Sequence, residues 1–470
     1  MKKFSVKRLI LIFLLLCAPA MATTYYVHAT LGDNSNNGSM GSPFATSGKI
    51  CSTVVAGDTA YYLGGTFQES WRSAGDVNYN TVLAPIVTGT EANPIMFYAD
   101  PDSTVILRGD SSITGATLVT WKNCSWITLE NFEITNGYPA GVRITYVDNH
   151  VTLRNLYVHH CVAADNDNGG GILVNLAGGR PKVEYLTVVS CSLHTFYETT
   201  YGSPAQWNTS GIHVYNCYEC NIDSNVVHNV YEGFGIRFKN ADTLSSASYN
   251  TVFDCRIGMG IGHGGYNTFH HNTIYNTEWH GIEVRSYNPF ETSHHALYNN
   301  TIYRSGLTGI RYHANTDNMD TMWAWNNIIV DCETEAGYNL TDSSWLTCFY
   351  EDYNLIWNQD VEATDIYEIG DTAYTLAEWQ ATKHSFFQPD SSHGANSISS
   401  NPLFADSANY DFSLPSNSPC TQGKDTLGFG YIGAYDPPAS GKRLRMYKSS
   451  YLDDYNKPCF YWCEIDWKRR

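Results

Sequence analysis

Residues 266–285 read YNTFHHNTIYNTEWHGIEVR, and their pattern recurs up and down the chain. Asn272 is followed two residues later by β-branched Ile274, and after a short bend by the pair Gly281-Ile282. With the β-branched residue as anchor, the pattern returns at Ile134, Val158, Val188, Val227, Val252, Ile274, Ile302 and Ile329, at intervals of 24, 30, 39, 25, 22, 28 and 27 residues. Glycine-aliphatic pairs follow at Gly141-Val142, Gly171-Ile172, Gly211-Ile212, Gly235-Ile236, Gly260-Ile261, Gly281-Ile282 and Gly309-Ile310, with a degenerate eighth at Gly337-Tyr338. Three residues past the anchor stand small or apolar residues, among them Cys161, Cys191, Cys255 and Cys332, as one inward column requires. Two residues before it, Asn225, Asn250, Asn272, Asn300 and Asn327 fill five consecutive repeats, which is what a stacked amide ladder needs.

Short strands with Gly and Asn bends, repeated at this period, specify a solenoid. Helical solenoids need long runs of period 3.6, whereas Gly281-Ile-Glu-Val-Arg285 alternates with period 2. The fold class that follows is all-β, a single-stranded parallel β-helix whose repeat block covers residues 124–340.

Residues 1–22 place Lys2, Lys3, Lys7 and Arg8 before an apolar run from Leu9 to Cys17 and end in Ala20-Met-Ala22, the pattern of a secretory signal peptide. The mature chain is expected to be exported, as a secreted or cell-envelope protein starting near Thr23, with no transmembrane segment after signal removal. Its formal charge, −18 overall and about −22 without the four signal cations, argues against a nucleic-acid partner. A monomer is expected. The cysteines sharing one repeat position read as core residues, and the single Cys217-x-x-Cys220 as a disulfide or core pair.

Thr24 to Ser70, with Tyr25-Tyr-Val27, Gly32-Asp33, Gly38, Pro43, Gly57-Asp-Thr59 and Gly65-Thr66, resembles the opening segment of secreted bacterial right-handed parallel β-helix proteins with the pectin-lyase-like fold. Residues 23–123 are then the N-terminal cap and first coils. The run 375–383 (TLAEWQATK) reads as a short helix, and Ser397-Ile-Ser-Ser-Asn-Pro-Leu-Phe404 through Ile432-Gly-Ala-Tyr435 is similar to the segment that closes such solenoids. Residues 341–436 are accordingly assigned to C-terminal coils and cap. Residues 437–470 form a basic tail, eight Lys or Arg against four acids, with no role assigned. The insertion at residues 195–210 reads either as part of a binding surface or as a tolerated surface loop.

In a Gly-Ile-x-Val-x strand the second and fourth residues after Gly face away from the core. Over seven repeats the second position holds Arg143, Leu173, His213, Arg237, Gly262, Glu283 and Arg311, and the fourth Thr145, Asn175, Tyr215, Lys239, Gly264, Arg285 and His313. Five of these fourteen are cations, where the composition of residues 23–440 predicts about one. On an acidic chain such a stripe points to an anionic ligand. Coils stack about 4.8 Å apart, so the Arg237/Lys239 and Glu283/Arg285 coils flank a glycine coil and lie about 9.6 Å from each other. That gap suits a sugar ring.

The resemblance implies an extracellular polysaccharide as partner, and a lyase cleaving a uronic-acid glycan by β-elimination as the leading activity. Such a site sets Arg or Ca²⁺ against the uronate carboxylate and supplies a base. On that reading Lys239 is the base, with Arg237, Arg285 and Arg311 as carboxylate clamps. His213, Tyr215, His263 and His313 are proton donors, and Glu283 and Arg143 complete the binding surface. Glu283 and Asp242 are the nearest candidates for a Ca²⁺ ligand, fewer acids than the lyase pattern carries. Three alternatives stay open: Glu283 pairing with Arg237 or Arg311 on a solvated face, a glycoside hydrolase using paired carboxylates, and a non-catalytic glycan-binding or cell-surface module with aromatics such as Tyr138, Tyr201, Trp207, Trp279 and Tyr287 as platforms.

Overall fold

The computed structural model describes residues 22–68, 71–72, 80–85, 87–109, 117–145, 149–163, 169–174, 182–198, 209–286, 292–314, 321–332, 337–341, 348–359, 366–382, 393–421, 431–434, 442–452 and 458–466. The signal-peptide stretch and most of the 195–210 insertion, including Tyr201 and Trp207, lie outside the described residues, as does Tyr287. Among the described residues no helix is long and apolar enough to cross a membrane.

Three stacks of parallel strands wind around one apolar core. The first face carries the glycine-aliphatic strands, whose second members align as Val142, Ile172, Ile212, Ile236, Met259, Ile282, Ile310 and Tyr338. The second aligns Leu129, Leu153, Val188, Ile222, Ala247, Phe269, Leu297 and Ala324. The third aligns the anchors Ile134, Val158, Leu193, Val227, Val252, Ile274, Ile302, Ile329 and Ile356.

Two positions differ from the sequence reading. Leu193, not Val188, anchors the third face in its coil, and Val188 belongs to the second face. Both are inward aliphatics two residues from a polar bend, so spacing alone did not separate them. Cys191 consequently leaves the Cys column, and Phe196 takes that place beside Val230. In the glycine coil, Gly258-Met259 rather than Gly260-Ile261 is the aligned pair, which puts Gly260 and Gly262 at the second and fourth positions.

Sterics explain the glycine of each pair. A Cβ on Gly281 would lie 2.5 Å from Ile302 Cγ2 of the next coil, and one on Gly258 would lie 2.4 Å from Ile274 Cγ2. The anchor's branch occupies the room the missing side chain leaves. The bend between third and first faces turns on a left-handed residue in coil after coil, Asn229, Asp254, Asn276, Arg304 and Asp331, with φ of 55, 49, 52, 55 and 54°. Four of the five are Asn or Asp, the residues that tolerate this conformation best after Gly.

The amide ladder forms and is longer than the five residues read from the sequence. Asn225 Nδ2 donates to Asn250 Oδ1 at 3.0 Å, and the relay continues through Asn272, Asn300 and Asn327 to Asn354 at 3.0, 2.9, 3.0 and 3.1 Å. Each Asn Oδ1 also accepts the backbone N–H of the preceding rung, beginning with Cys191 N. All six are buried, so their polar groups are satisfied within the stack.

At the N-terminal end, the helix Ser47–Cys51 is capped by Thr46, whose hydroxyl accepts from Lys49 N. Toward the C-terminus, the helix Leu376–Ala381 starts with a capping box between Thr375 and Glu378. Lys442–Leu452 and Pro458–Asp466 pair as a separate antiparallel sheet. Cys217 and Cys220 form a disulfide, and Cys161, Cys255 and Cys332 are free, buried thiols pushed up to about 12 by desolvation.

Candidate active site

On the first face the register fixes two columns whose side chains point away from the core. One runs Arg143, Leu173, His213, Arg237, Gly260, Glu283, Arg311 and Asn339. The other runs Tyr215, Lys239, Gly262, Arg285 and His313. This is not the solvated surface that strand alternation suggests. His213 and Glu283 are fully buried and Arg237 retains 5% exposure, so charges here act in a medium poorer in water than an open strand face.

Lys239 lies at the centre. Its ammonium sits 5.2 Å from the centroid of the Tyr215 ring, a cation–π contact, and Tyr215 in turn stacks on His213 at 4.5 Å. Burial, with the neighbouring Arg237 and Arg285 cations, lowers its pKa to about 7. Desolvation and like charge act in the same direction, since both penalise the ammonium form.

The glycine coil between the cationic coils is only half open. A Cβ on Gly260 would strike the Phe234 ring at 2.5 Å, because that ring lies over the glycine, with the Arg237 guanidinium carbon 4.3 Å from its centroid. At Gly262 the nearest atoms to such a Cβ are Lys239 Cγ at 3.9 Å and Phe238 O at 4.0 Å. The floor is therefore a single glycine, Gly262, between Lys239 on one coil and Arg285 on the next. Phe234 precedes its Gly-aliphatic pair, outside the positions the sequence pattern selects, and was missed there.

Glu283 is engaged by two cations. Its Oε2 lies 2.5 Å from Arg285 Nε and its Oε1 3.9 Å from Arg311 Nη1. Arg311 Nη1 is also 3.1 Å from His280 Nε2, and burial together with Arg311 and Arg285 lowers the His280 pKa to about 3. His280 therefore stays neutral, and it is a second residue the columns did not include. The pairing of Glu283 thus runs to Arg285 and Arg311, on a buried rather than a solvated face.

The remaining candidates separate by position. His313 is half-buried and opposite Arg285. His263 is not in either column: it occupies a left-handed corner, φ 59°, and is 95% buried. Arg143 stands three coils from Arg237, beyond the buried Leu173 and His213. The Asp242 backbone pairs with Gly264, while its side chain lies outside the described residues. Glu283 is buried with its charge facing Arg285 and Arg311, whereas Ca²⁺ takes six to eight oxygens, and among the described residues no three His, Cys, Asp or Glu converge on one point.

The family described as right handed beta helix region matches residues 199–348. This chain is a right-handed β-helix. Among solved structures, the β-helix is similar to pectate lyase Pel9A, with a TM-score of 0.53 and 14% identity over 89% of this chain and 97% of that one. It is also similar to a rhamnogalacturonan lyase, at 0.51 and 14% over 88% and 100%. A lacto-N-biosidase of GH136 from Eubacterium ramulus gives 0.49 and 14% over 81% and 67%. At these identities the likeness is one of fold, that of pectate lyase. No curated protein sequence matches the β-helix.

Proposed function

We propose that this β-helix is an exported polysaccharide lyase that cleaves a uronic-acid glycan by β-elimination on its first face. The observation that carries the reading is Lys239, an amine with a pKa of about 7 set beside the open floor at Gly262 and flanked by Arg237 and Arg285. An amine with that pKa is half neutral near pH 7, where general-base efficiency is greatest. The solved lyases that share the fold support the same direction.

In this mechanism the uronate carboxylate lies against the Arg285 and Arg237 guanidinium groups, whose planar donors suit it. The neutral Lys239 amine takes the proton on the carbon α to that carboxylate. The electrons of the broken C–H bond form the new carbon–carbon double bond as the glycosidic C–O bond at the β carbon breaks. The departing oxygen takes a proton from His313, the half-buried histidine opposite Arg285. Glu283 holds Arg285 and Arg311 in place rather than acting as acid or nucleophile, which weakens the hydrolase alternative. No step is routed through a metal ion.

The test mixes the purified chain with pectate, alginate and glycosaminoglycans, with and without Ca²⁺, and follows the ultraviolet absorbance of the unsaturated product. A rise abolished by Lys239→Ala and by Arg285→Ala, with folding intact, supports the reading. Absence of a rise on every polymer overturns it, and retained binding without product then identifies a glycan-binding module.

A further inference from the structure

A second groove, of about 440 Å³, lies beside the third face where the segment around Tyr410 and Phe412 folds back across the coils. Its floor is a row of threonines, Thr251, Thr273 and Thr301, aligned in register on three successive coils, so hydroxyls recur about every 4.8 Å along the solenoid axis. Thr301 Oγ1 accepts from Ala434 N at 2.9 Å. The Thr251 and Thr273 hydroxyls, half-buried at the groove floor, make no hydrogen bond among the described residues.

Tyrosines supply the walls. Tyr275 is sandwiched between Phe253 at 4.8 Å and Tyr410 at 4.5 Å, and Asn276 Nδ2 donates to the Tyr410 hydroxyl at 2.8 Å, which fixes that ring. Tyr249, on the opposite side, is held against His271 at 4.8 Å. The lining contains one carboxylate, Asp411, and no Lys, Arg or His. This is the opposite of the first face. Open hydroxyls at regular spacing, rigid phenol rings and an acceptor carboxylate fit a ligand with many hydroxyls, apolar C–H faces and no anionic charge.

We propose that this groove is a second saccharide-binding site, taking a neutral, hydroxyl-rich stretch of glycan along the solenoid axis. It goes beyond the lyase reading and stands whether or not the first face is catalytic. Its consequence is a protein that holds neutral segments of a polymer on one face and acidic segments on another.

Calorimetric titration of the full chain with neutral xylo-, cello- and galacto-oligosaccharides tests it. Binding of at least one series is expected, weakened tenfold or more by the isosteric pair Thr251→Val and Thr273→Val and by Tyr410→Ala, and unchanged by Lys239→Ala. Circular dichroism of each variant checks folding, and the valine pair stays decisive if Tyr410→Ala unfolds. No binding to any neutral series overturns the proposal, as does binding that the valine pair leaves intact. Loss of elimination activity in Lys239→Ala with this binding retained separates the two sites.

Discussion

Gly260 and Gly262 stand two residues apart on one strand, yet only one has room above it. Gly262→Gln is expected to fold with a stability change within about 1 kcal/mol and to lose turnover, because the new side chain fills the floor beside Lys239; thermal melts and the elimination assay check this together. Gly260→Ala is expected to cost about 1–3 kcal/mol in a denaturant titration, because it must displace the Phe234 ring. Lys239 makes a separate prediction. Its folded pKa of about 7 lies below the ordinary 10.5, so the unfolded chain binds more protons between those values and stability rises with pH across that window. Lys239→Met should remove that slope, raise stability below pH 7 by about 1 kcal/mol or more, and end catalysis, which in the wild type should rise with pH through about 7. The cationic residues of this site and the presence of a glycine coil between them were legible in the sequence, since strand alternation selects them, but the outward glycines are Gly260 and Gly262 rather than Gly262 and Gly264. Their burial was not, because a period-2 pattern says which way a side chain leaves the strand and nothing about a ring such as Phe234 lying over its neighbour.

The amide ladder is the element that sets the coil register. Each buried Asn binds the rung on either side and a backbone carbonyl of an adjacent coil, so truncation orphans several groups at once. Asn272→Ala, in the middle of the stack, is expected to cost about 2–4 kcal/mol, and Asn225→Ala, at its first rung, less; urea midpoints of the two variants provide the comparison. Five of the six rungs were visible because Asn at a fixed offset from a β-branched residue is an uncommon coincidence. Asn354 lies beyond the last anchor of the repeat pattern, and the long insertions on both sides of the Val188/Leu193 coil leave the spacing free to slide, so spacing does not separate those two residues.

At the scale of the whole solenoid, the ladder ends on a buried acid. Asn354 Nδ2 donates to Glu351 Oε2 at 2.8 Å, and the same carboxyl receives Trp379 Nε1 at 2.6 Å, Tyr367 Oη at 3.1 Å and Ser397 Oγ at 3.1 Å. Burial nonetheless dominates and raises its pKa from 4.5 to about 7. The folded state therefore binds the proton more tightly: its stabilisation is complete below pH 4.5 and is lost as pH rises through about 7. Glu351→Gln should flatten that decline, worth about 3 kcal/mol, when unfolding midpoints of variant and wild type are compared across pH 4 to 8. His280 and His295, both lowered to about 3, slope the other way in both proteins and cancel in the difference. No sequence pattern marked Glu351, because its partners Trp379 and Ser397 arrive from a segment beyond the repeats.

The ladder also divides the solenoid mechanically. Its first rung is Asn225, which accepts from Cys191 N, and the two coils before Cys191 carry Phe132 and Leu156 at that corner, side chains that cannot relay an amide bond. A tug on the N-terminal end would peel those coils by breaking backbone pairs, apolar contacts and rim pairs such as Arg154–Glu130 and His159–Glu133, then meet the first buried amide rung where the coils of His213, Lys239 and Arg285 begin. A chain tethered to a moving polymer or surface could thus yield at one end while the coils bearing its chemistry stay wound.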